Sequence, residues 1–178
     1  MKAETFLMDV IWTIRQMCEC DPEESANAII ECHNRGGTVH LFGNGASASI
    51  AAHTATDLTK MCGIRAVTYH DHNLVTCFVN DYGAEYWMRE CINKFVDDKD
   101  LVILISSSGE SKNVVYAADA CYERVIPVIS LTGFAEDNAL NKAGDIKIWV
   151  NSKVYNVVEA VHWTLLAAII EDISGRNK

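Results

Sequence analysis

The sequence predicts an α/β fold: a three-layer α/β/α sandwich around a five-stranded parallel sheet, preceded by an N-terminal helical hairpin. Three observations predict it. Strand-like and helix-like segments alternate about every 30 residues, the rhythm of strand–helix–strand units. The runs Leu101–Ile105 (LVILI) and Ile126–Leu131 (IPVISL) are continuously apolar, as strands covered on both faces are. The strand ending at Phe42 enters a glycine turn, GNGAS at Gly43–Ser47, that opens a helix.

In chain order, Ala3–Cys20 carries Phe6, Val10, Ile11, Ile14 and Met17 at helical spacing. That apolar stripe is expected to meet either a partner subunit or the chain's own sheet. Asp21-Pro22 starts a second helix, with Asp as N-cap and Pro in the first position, and Gly36-Gly37 closes it after Asn34. Thr38–Phe42 reads as a strand, Ser47–Thr59 as a helix and Ala66–Tyr69 as a second strand. A helix from Gly83 or Ala84 to Val96 follows, then the LVILI strand, a helix over Ser111–Arg124 and the IPVISL strand. Ala139–Ala143 is a short helix, Ile146–Val150 the fifth strand and Val154–Ile173 a long last helix. No linker, repeat or low-complexity tract interrupts this order. One domain over residues 1–178 is expected, with 1–36 as the hairpin. Crossovers should be right-handed, and ligands should bind at the carboxyl ends of the strands.

Composition narrows the function. A net charge of −9 over 178 residues argues against nucleic acid as the main partner. No apolar run is long enough to span a bilayer; the greasiest stretch, Ala160–Ile170, is broken by His162 and Thr164. The first residues lack the basic-then-apolar layout of a signal peptide. Seven scattered cysteines, an odd number, suit free thiols, so a cytoplasmic protein is expected. Cys18-x-Cys20 is spaced too tightly for a zinc knuckle.

Two loops carry the candidate chemistry. In GNGAS the small residues leave backbone N–H groups open at a helix N-terminus, which suits a phosphate; the alternative is a turn kept small for packing. Ala48 stands where a dinucleotide fingerprint needs its third glycine, and the lysine of a P-loop is missing, so no nucleotide cofactor is expected. The second loop, SSSGES at Ser106–Ser111, sets four hydroxyls and a glycine at the end of a buried strand. Hydroxyls both donate and accept, which suits a phosphate or a sugar; the alternative is a helix cap, for which one hydroxyl suffices. His53 and Asp57 lie four apart and share a helix face. Glu159 and His162 lie three apart on the last helix. Were the two helices to face each other, these four would suit a divalent metal or the proton transfers of an enediol mechanism; the alternative is a hydrogen-bonded interface residue at His53 and a packed His162 beside Trp163. His70, Asp71 and His72 close the second strand, with the two histidines on one side of an extended chain, either near a sugar or in a solvated loop.

At GNGAS, His53-x-x-x-Asp57, NDYG (Asn80–Gly83) and ISSSGES (Ile105–Ser111), the chain resembles the SIS (sugar isomerase) domain family. Its nearest branch is phosphoheptose isomerase-like, converting sedoheptulose 7-phosphate to a glycero-manno-heptose 7-phosphate. The resemblance implies a phosphate held by Ser106, Ser107, Ser108 and Ser111, a first ligand loop at Asn44, Gly45 and Ser47, and Asp81 near the sugar. It implies a homotetramer built by the N-terminal helices, sites shared between subunits, and sometimes zinc, for which His53, Asp57, Glu159 and His162 are the candidates. Two departures stand out. The family's glutamate falls on Asp57 and its proton-moving histidine on Ala167, leaving Asp57, Glu159 and His162 as candidate catalytic residues, with Asp57 the expected base and His53, Glu159 and His162 metal ligands or proton carriers. A non-catalytic phosphosugar binder with a regulatory or scaffold role is the alternative.

Overall fold

The computed structural model describes residues 2–17 and 22–176. Its elements run α1 (Ala3–Met17), α2 (Glu23–Asn34), β1 (Val39–Gly43), α3 (Ala46–Cys62), β2 (Ala66–Thr68), α4 (His72–Tyr82) and α5 (Trp87–Phe95). They continue β3 (Leu101–Ser106), α6 (Lys112–Glu123), β4 (Val128–Thr132), α7 (Ala139–Ala143), β5 (Ile146–Trp149) and α8 (Tyr155–Arg176). The five strands form one parallel sheet in the order β2-β1-β3-β4-β5. The expected Asp21 cap and the Cys18–Cys20 pair lie outside the described residues.

Strand alternation divides the core into two layers. Val39, Leu41, Leu101, Ile103, Ile105, Ile129 and Leu131 face one cluster, under α1, α2, α3 and α8. Phe42, Val102, Leu104 and Val128 face the other, under α4–α7. Because successive side chains point to opposite faces, a strand covered by helices on both must be apolar throughout, and LVILI is.

α4 is an element that the periodicity did not reveal; the His70–His72 stretch opens it. The Asp71 carboxylate accepts from the N–H groups of Asn73 (3.0 Å) and Leu74 (3.4 Å), capping the helix. Leu74, Val75, Phe78 and Val79 then pack on the second core layer at helical spacing. A run rich in β-branched and aromatic residues hides that period. His72, as the first helical residue, is exposed and no longer shares a side with His70.

Of the two partners expected for the α1 stripe, the chain's own core takes it, except for Ile11. Phe6, Val10, Ile14 and Met17 pack on the chain's own core beside α8. Ile11 belongs instead to a second face, with Leu7, Met8 and Trp12, whose residues are 46% to 63% exposed.

Among the described residues, two that are not glycine have a left-handed backbone, Val125 and Phe134. Val125, just past α6, has φ 57° and is exposed. A β-branched residue in the left-handed region costs about 1–2 kcal/mol, and glycine does not carry that cost. Val125→Gly is therefore expected to raise stability by about 1 kcal/mol after its own entropic cost, read as a higher Tm; no rise would refute the strain.

The strand order puts a switch point at β1/β3. The chain leaves β1 toward α3 on one face and leaves β3 toward α6 on the other. The two exit loops diverge and open a crevice at the strands' carboxyl ends.

Candidate functional site

The first wall of the crevice is the glycine turn. A Cβ on Gly43 would lie 2.7–2.8 Å from backbone and Cβ atoms of Ser47, so only glycine lets β1 run this close under α3. Gly45 caps α3 at φ 53°, ψ −122°, a conformation for glycine, and supplies no side-chain cap. The first N–H groups of α3 are thus left for a ligand. His70 braces the turn: the Gly43 N–H donates to its Nε2 at 3.4 Å.

The second wall is the serine loop. Ser111 is the N-cap residue of α6 yet makes no capping hydrogen bond; it accepts instead from the Ser106 hydroxyl (3.4 Å). Ser106 Oγ accepts the Gly109 N–H (3.2 Å), and Ser108 Oγ accepts the Glu110 N–H (3.3 Å). The cap reading of these serines does not hold. The loop is held from behind: Leu140 N–H donates to the Gly109 carbonyl (3.0 Å), and Ala139 N–H donates to Glu110 Oε1 (3.0 Å). Gly109, at φ 68°, abuts Asn138, whose Oδ1 a Cβ would approach to 1.8 Å. Gly109→Ala is therefore expected to cost about 2 kcal/mol or more and to abolish any stabilisation by phosphate ligands, both read by thermal unfolding. Unchanged phosphate protection would show that this backing is dispensable.

Between the walls lies a cleft of about 110 Å³. Asn44 and Ser47 line one side and Ser106, Ser107, Ser108 and Ser111 the other, with Tyr155 and Glu159 of α8 above. Ser107 Oγ donates to Glu159 Oε1 at 3.4 Å. Among the described residues, no lysine, arginine or histidine lines it. What the lining offers is neutral donors, at the N-termini of two helices.

The SIS domain family profile matches residues 15–133, which takes in both walls. The chain belongs to the SIS domain family. A phosphoheptose isomerase of Colwellia psychrerythraea is 30% identical over 159 residues, 85% of this chain and 81% of the relative. One from Aneurinibacillus thermoaerophilus is 30% identical over 165 residues, 88% of this chain and 83% of the relative. The structure of the phosphoheptose isomerase of Neisseria gonorrhoeae superposes with a TM-score of 0.88 at 25% identity, covering 96% of each chain. Within its family this is a phosphoheptose isomerase-like SIS protein.

Of the residues expected at this SIS site, the fold brings Asn44, Ser47, the four serines and Glu159 together, with Gly45 at the start of α3. The other four lie elsewhere. Asp81 stands exposed on the last turn of α4, bonded by Asn80 Nδ2 (2.9 Å) and Cys77 Sγ (3.8 Å), and does not line the cleft. His53 Nε2 pairs with Asp57 Oδ2 at 3.1 Å on the outer face of α3, and its ring stacks on Trp163 at 4.8 Å. His162 is turned into the core. Its Nε2–H donates to the Thr132 carbonyl (3.0 Å), and its buried Nδ1 has no partner among the described residues.

The expected set of His53, Asp57, Glu159 and His162 is therefore not one cluster within the chain. Among the described residues, no three His, Cys, Asp or Glu side chains come together as a metal site. Helical spacing placed Glu159 and His162 near one another, but α8 is covered over much of its circumference, so three residues' rotation sends one side chain to the cleft and the other inward. The donor set present does not fit a zinc centre, which takes three or four protein ligands.

Burial pushes the His162 pKa down to about 4, with the Thr132 carbonyl opposing the shift, so the ring is neutral at pH 7. An unfolded histidine titrates near 6.5. Above that pH neither state holds the proton; below it the unfolded chain takes up a proton that the native one refuses until about 4. The contribution is whole above pH 6.5 and is expected to fall by about 3 kcal/mol on going down to pH 4. Urea midpoints across that range, compared with His162→Gln, measure it; parallel curves would refute it.

The cleft also uses residues that sequence reading did not single out. Tyr155 arrives from the start of α8, its ring packed on Phe134 at 4.8 Å. Phe134 is itself left-handed, at φ 58°. No local motif marks either residue.

Proposed function

We propose that this protein is a sugar-phosphate isomerase acting on a ketose/aldose phosphate of the sedoheptulose 7-phosphate type. One observation carries the reading: Glu159 stands where the serine cleft ends, bonded to Ser107, and also lines the next groove. That groove, about 440 Å³, runs between α3 and α8 past Ala46, Ser49, Ile50, Ala160 and Trp163. The serine cleft takes the phosphate through hydroxyl and N–H donors. The sugar carbons extend past Glu159 into the groove. The Glu159 carboxylate removes a proton from the carbon beside the carbonyl and returns it to the former carbonyl carbon, while a hydroxyl proton moves between the two oxygens. His162, buried and neutral, takes no part.

At about 110 Å³ the cleft is below the 300–1,000 Å³ of typical small-molecule sites, so one chain seats the phosphate without enclosing the sugar. A second copy completes the enclosure in a homotetramer, with the whole chain acting as one domain and residues 1–36 as the assembly element. The uncovered α1 face of Leu7, Met8, Ile11 and Trp12 supports this. Ile11→Glu with Trp12→Glu is expected to yield smaller species by sedimentation; an unchanged mass would exclude α1 from the assembly. Among the described residues five cysteines are free thiols, which supports a cytoplasmic setting, and no helix is long and apolar enough to cross a membrane.

Incubation with sedoheptulose 7-phosphate in heavy water, with and without zinc, tests the reading through deuterium exchange at carbon 1. Zinc is varied because the family resemblance implies it, although His53 and Asp57 of one chain offer two donors, fewer than a zinc centre takes. The alternative, a phosphosugar binder without turnover, is supported by Ala167 and by the burial of His162. Raised Tm without exchange would favour it. Neither effect would sink both.

A further inference from the structure

Asn113, the second residue of α6, does not line the cleft, yet it is bonded to a residue that does. Asn44 Nδ2 donates to Asn113 Oδ1 at 3.0 Å, and Asn113 Nδ2 donates to Asn44 Oδ1 at 2.9 Å. The two side chains, 69 residues apart in sequence, form a closed amide pair joining the glycine turn to the start of α6. Asn113 Oδ1 also accepts the Val114 N–H at 3.1 Å, which anchors the pair to the helix.

This pairing decides which end of Asn44 stays available. A carboxamide has two N–H donors and an oxygen with two lone pairs. With Oδ1 and one Nδ2 hydrogen engaged, turning the Asn44 amide over would set oxygen against oxygen and nitrogen against nitrogen, losing both bonds. A lone Asn44 would present either end to the cleft, and its oxygen would repel a phosphate. Neutral donors are what the described lining offers an anion, so fixing this one matters.

We propose that Asn113 is a positioning residue for the phosphate seat. It locks the Asn44 amide so that Asn44 serves a phosphate monoester as a donor, and it fixes the spacing of the two loops across the crevice. The proposal rests on the phosphosugar reading of the cleft. It adds a residue that acts only through Asn44, preorganising the seat before the ligand arrives.

Calorimetric titration with inorganic phosphate and with sedoheptulose 7-phosphate tests it on wild type, Asn113→Ala, Asn44→Ala and the double variant. Asn113→Ala is expected to weaken both ligands about 10-fold, the effect of one misplaced donor to a charged group. The double variant should bind no worse than Asn44→Ala alone, because Asn113 has no route to the ligand except Asn44. Asn113→Asp, whose carboxylate suits a helix N-terminus, covers a failure of the alanine variant to fold. It too should bind more weakly, without loss of Tm. Wild-type affinity in Asn113→Ala, or additive losses in the double variant, would overturn the proposal alone. A wild-type chain that binds neither ligand would overturn the reading of the cleft and this proposal with it.

Discussion

Glu159→Gln is expected to lower the turnover of a sugar phosphate by about 100-fold to 10,000-fold, the usual worth of a positioned acid/base group. The same change should tighten inorganic phosphate about 10-fold. A carboxylate bonded to Ser107 at the edge of the seat repels the anion, and an amide of nearly the same shape does not. A neighbouring unit charge in partly solvated surroundings is worth on the order of 1–2 kcal/mol. The two outcomes have opposite signs, so a damaged fold cannot mimic them together. Deuterium exchange and calorimetry on one preparation read both. If the variant retains most of its turnover, Glu159 is not the base, and the His53–Asp57 pair becomes the candidate. If phosphate affinity falls, the Glu159 carboxylate serves the seat rather than opposing it.

Asp100→Ala is expected to cost about 3–5 kcal/mol, a large part of the roughly 5–15 kcal/mol that holds a domain together. Asp100 is 3% exposed and sits just before β3. Its Oδ1 accepts the Thr38 N–H (2.7 Å), and its Oδ2 accepts the Asp97 N–H (2.7 Å) and His40 Nε2 (3.0 Å). Since the carboxylate only accepts, His40 carries its proton on Nε2, and its Nδ1 accepts the Tyr69 hydroxyl at 2.8 Å. Removing the carboxylate strands the buried His40 Nε2–H and takes the acceptor from the Thr38 and Asp97 N–H groups at the root of β1 and β3, the strands that form the crevice. Tyr69→Phe, which removes one neutral bond, should cost only about 1 kcal/mol. Urea denaturation compares the two; a loss below about 1 kcal/mol for Asp100→Ala would show that water replaces the carboxylate.

The pH dependence of that network follows from the same contacts. Burial pushes the Asp100 pKa up, but the Asp97 and Thr38 N–H groups, with His40, outweigh it and hold it below the usual carboxylate value. Its contribution is whole above the unfolded carboxylate range and is lost as pH falls through the lower native value. Burial pushes His40 down, with Asp100 opposing. Both groups therefore favour the native state at neutral pH and abandon it in acid.

Much of this molecule was legible in one dimension. LVILI and IPVISL declared buried parallel strands, because a strand covered on both faces has no position left for water. GNGAS and SSSGES declared the two loops that wall the cleft, because a close turn needs glycine and a run of hydroxyls exceeds what a cap needs. α4 was not legible: its cap, Asp71, sits among histidines that looked like a loop, and its apolar face is shallow. The α1 stripe was legible as a stripe, but not as to what covers it.

What the sequence by itself determined is the set of local commitments: the alternation of strand and helix, the two turns, and the donors those turns carry. These follow from backbone sterics and from hydrogen-bonding groups a few residues apart. Only the tertiary structure decided which distant side chains meet. It turned His162 onto a strand carbonyl and sent Glu159 to the serines, three residues away on the same helix. It also tied Asn44 to Asn113 across the crevice. A helix fixes the angle between its side chains, but only the layers packed around it decide which angles face solvent, ligand or core.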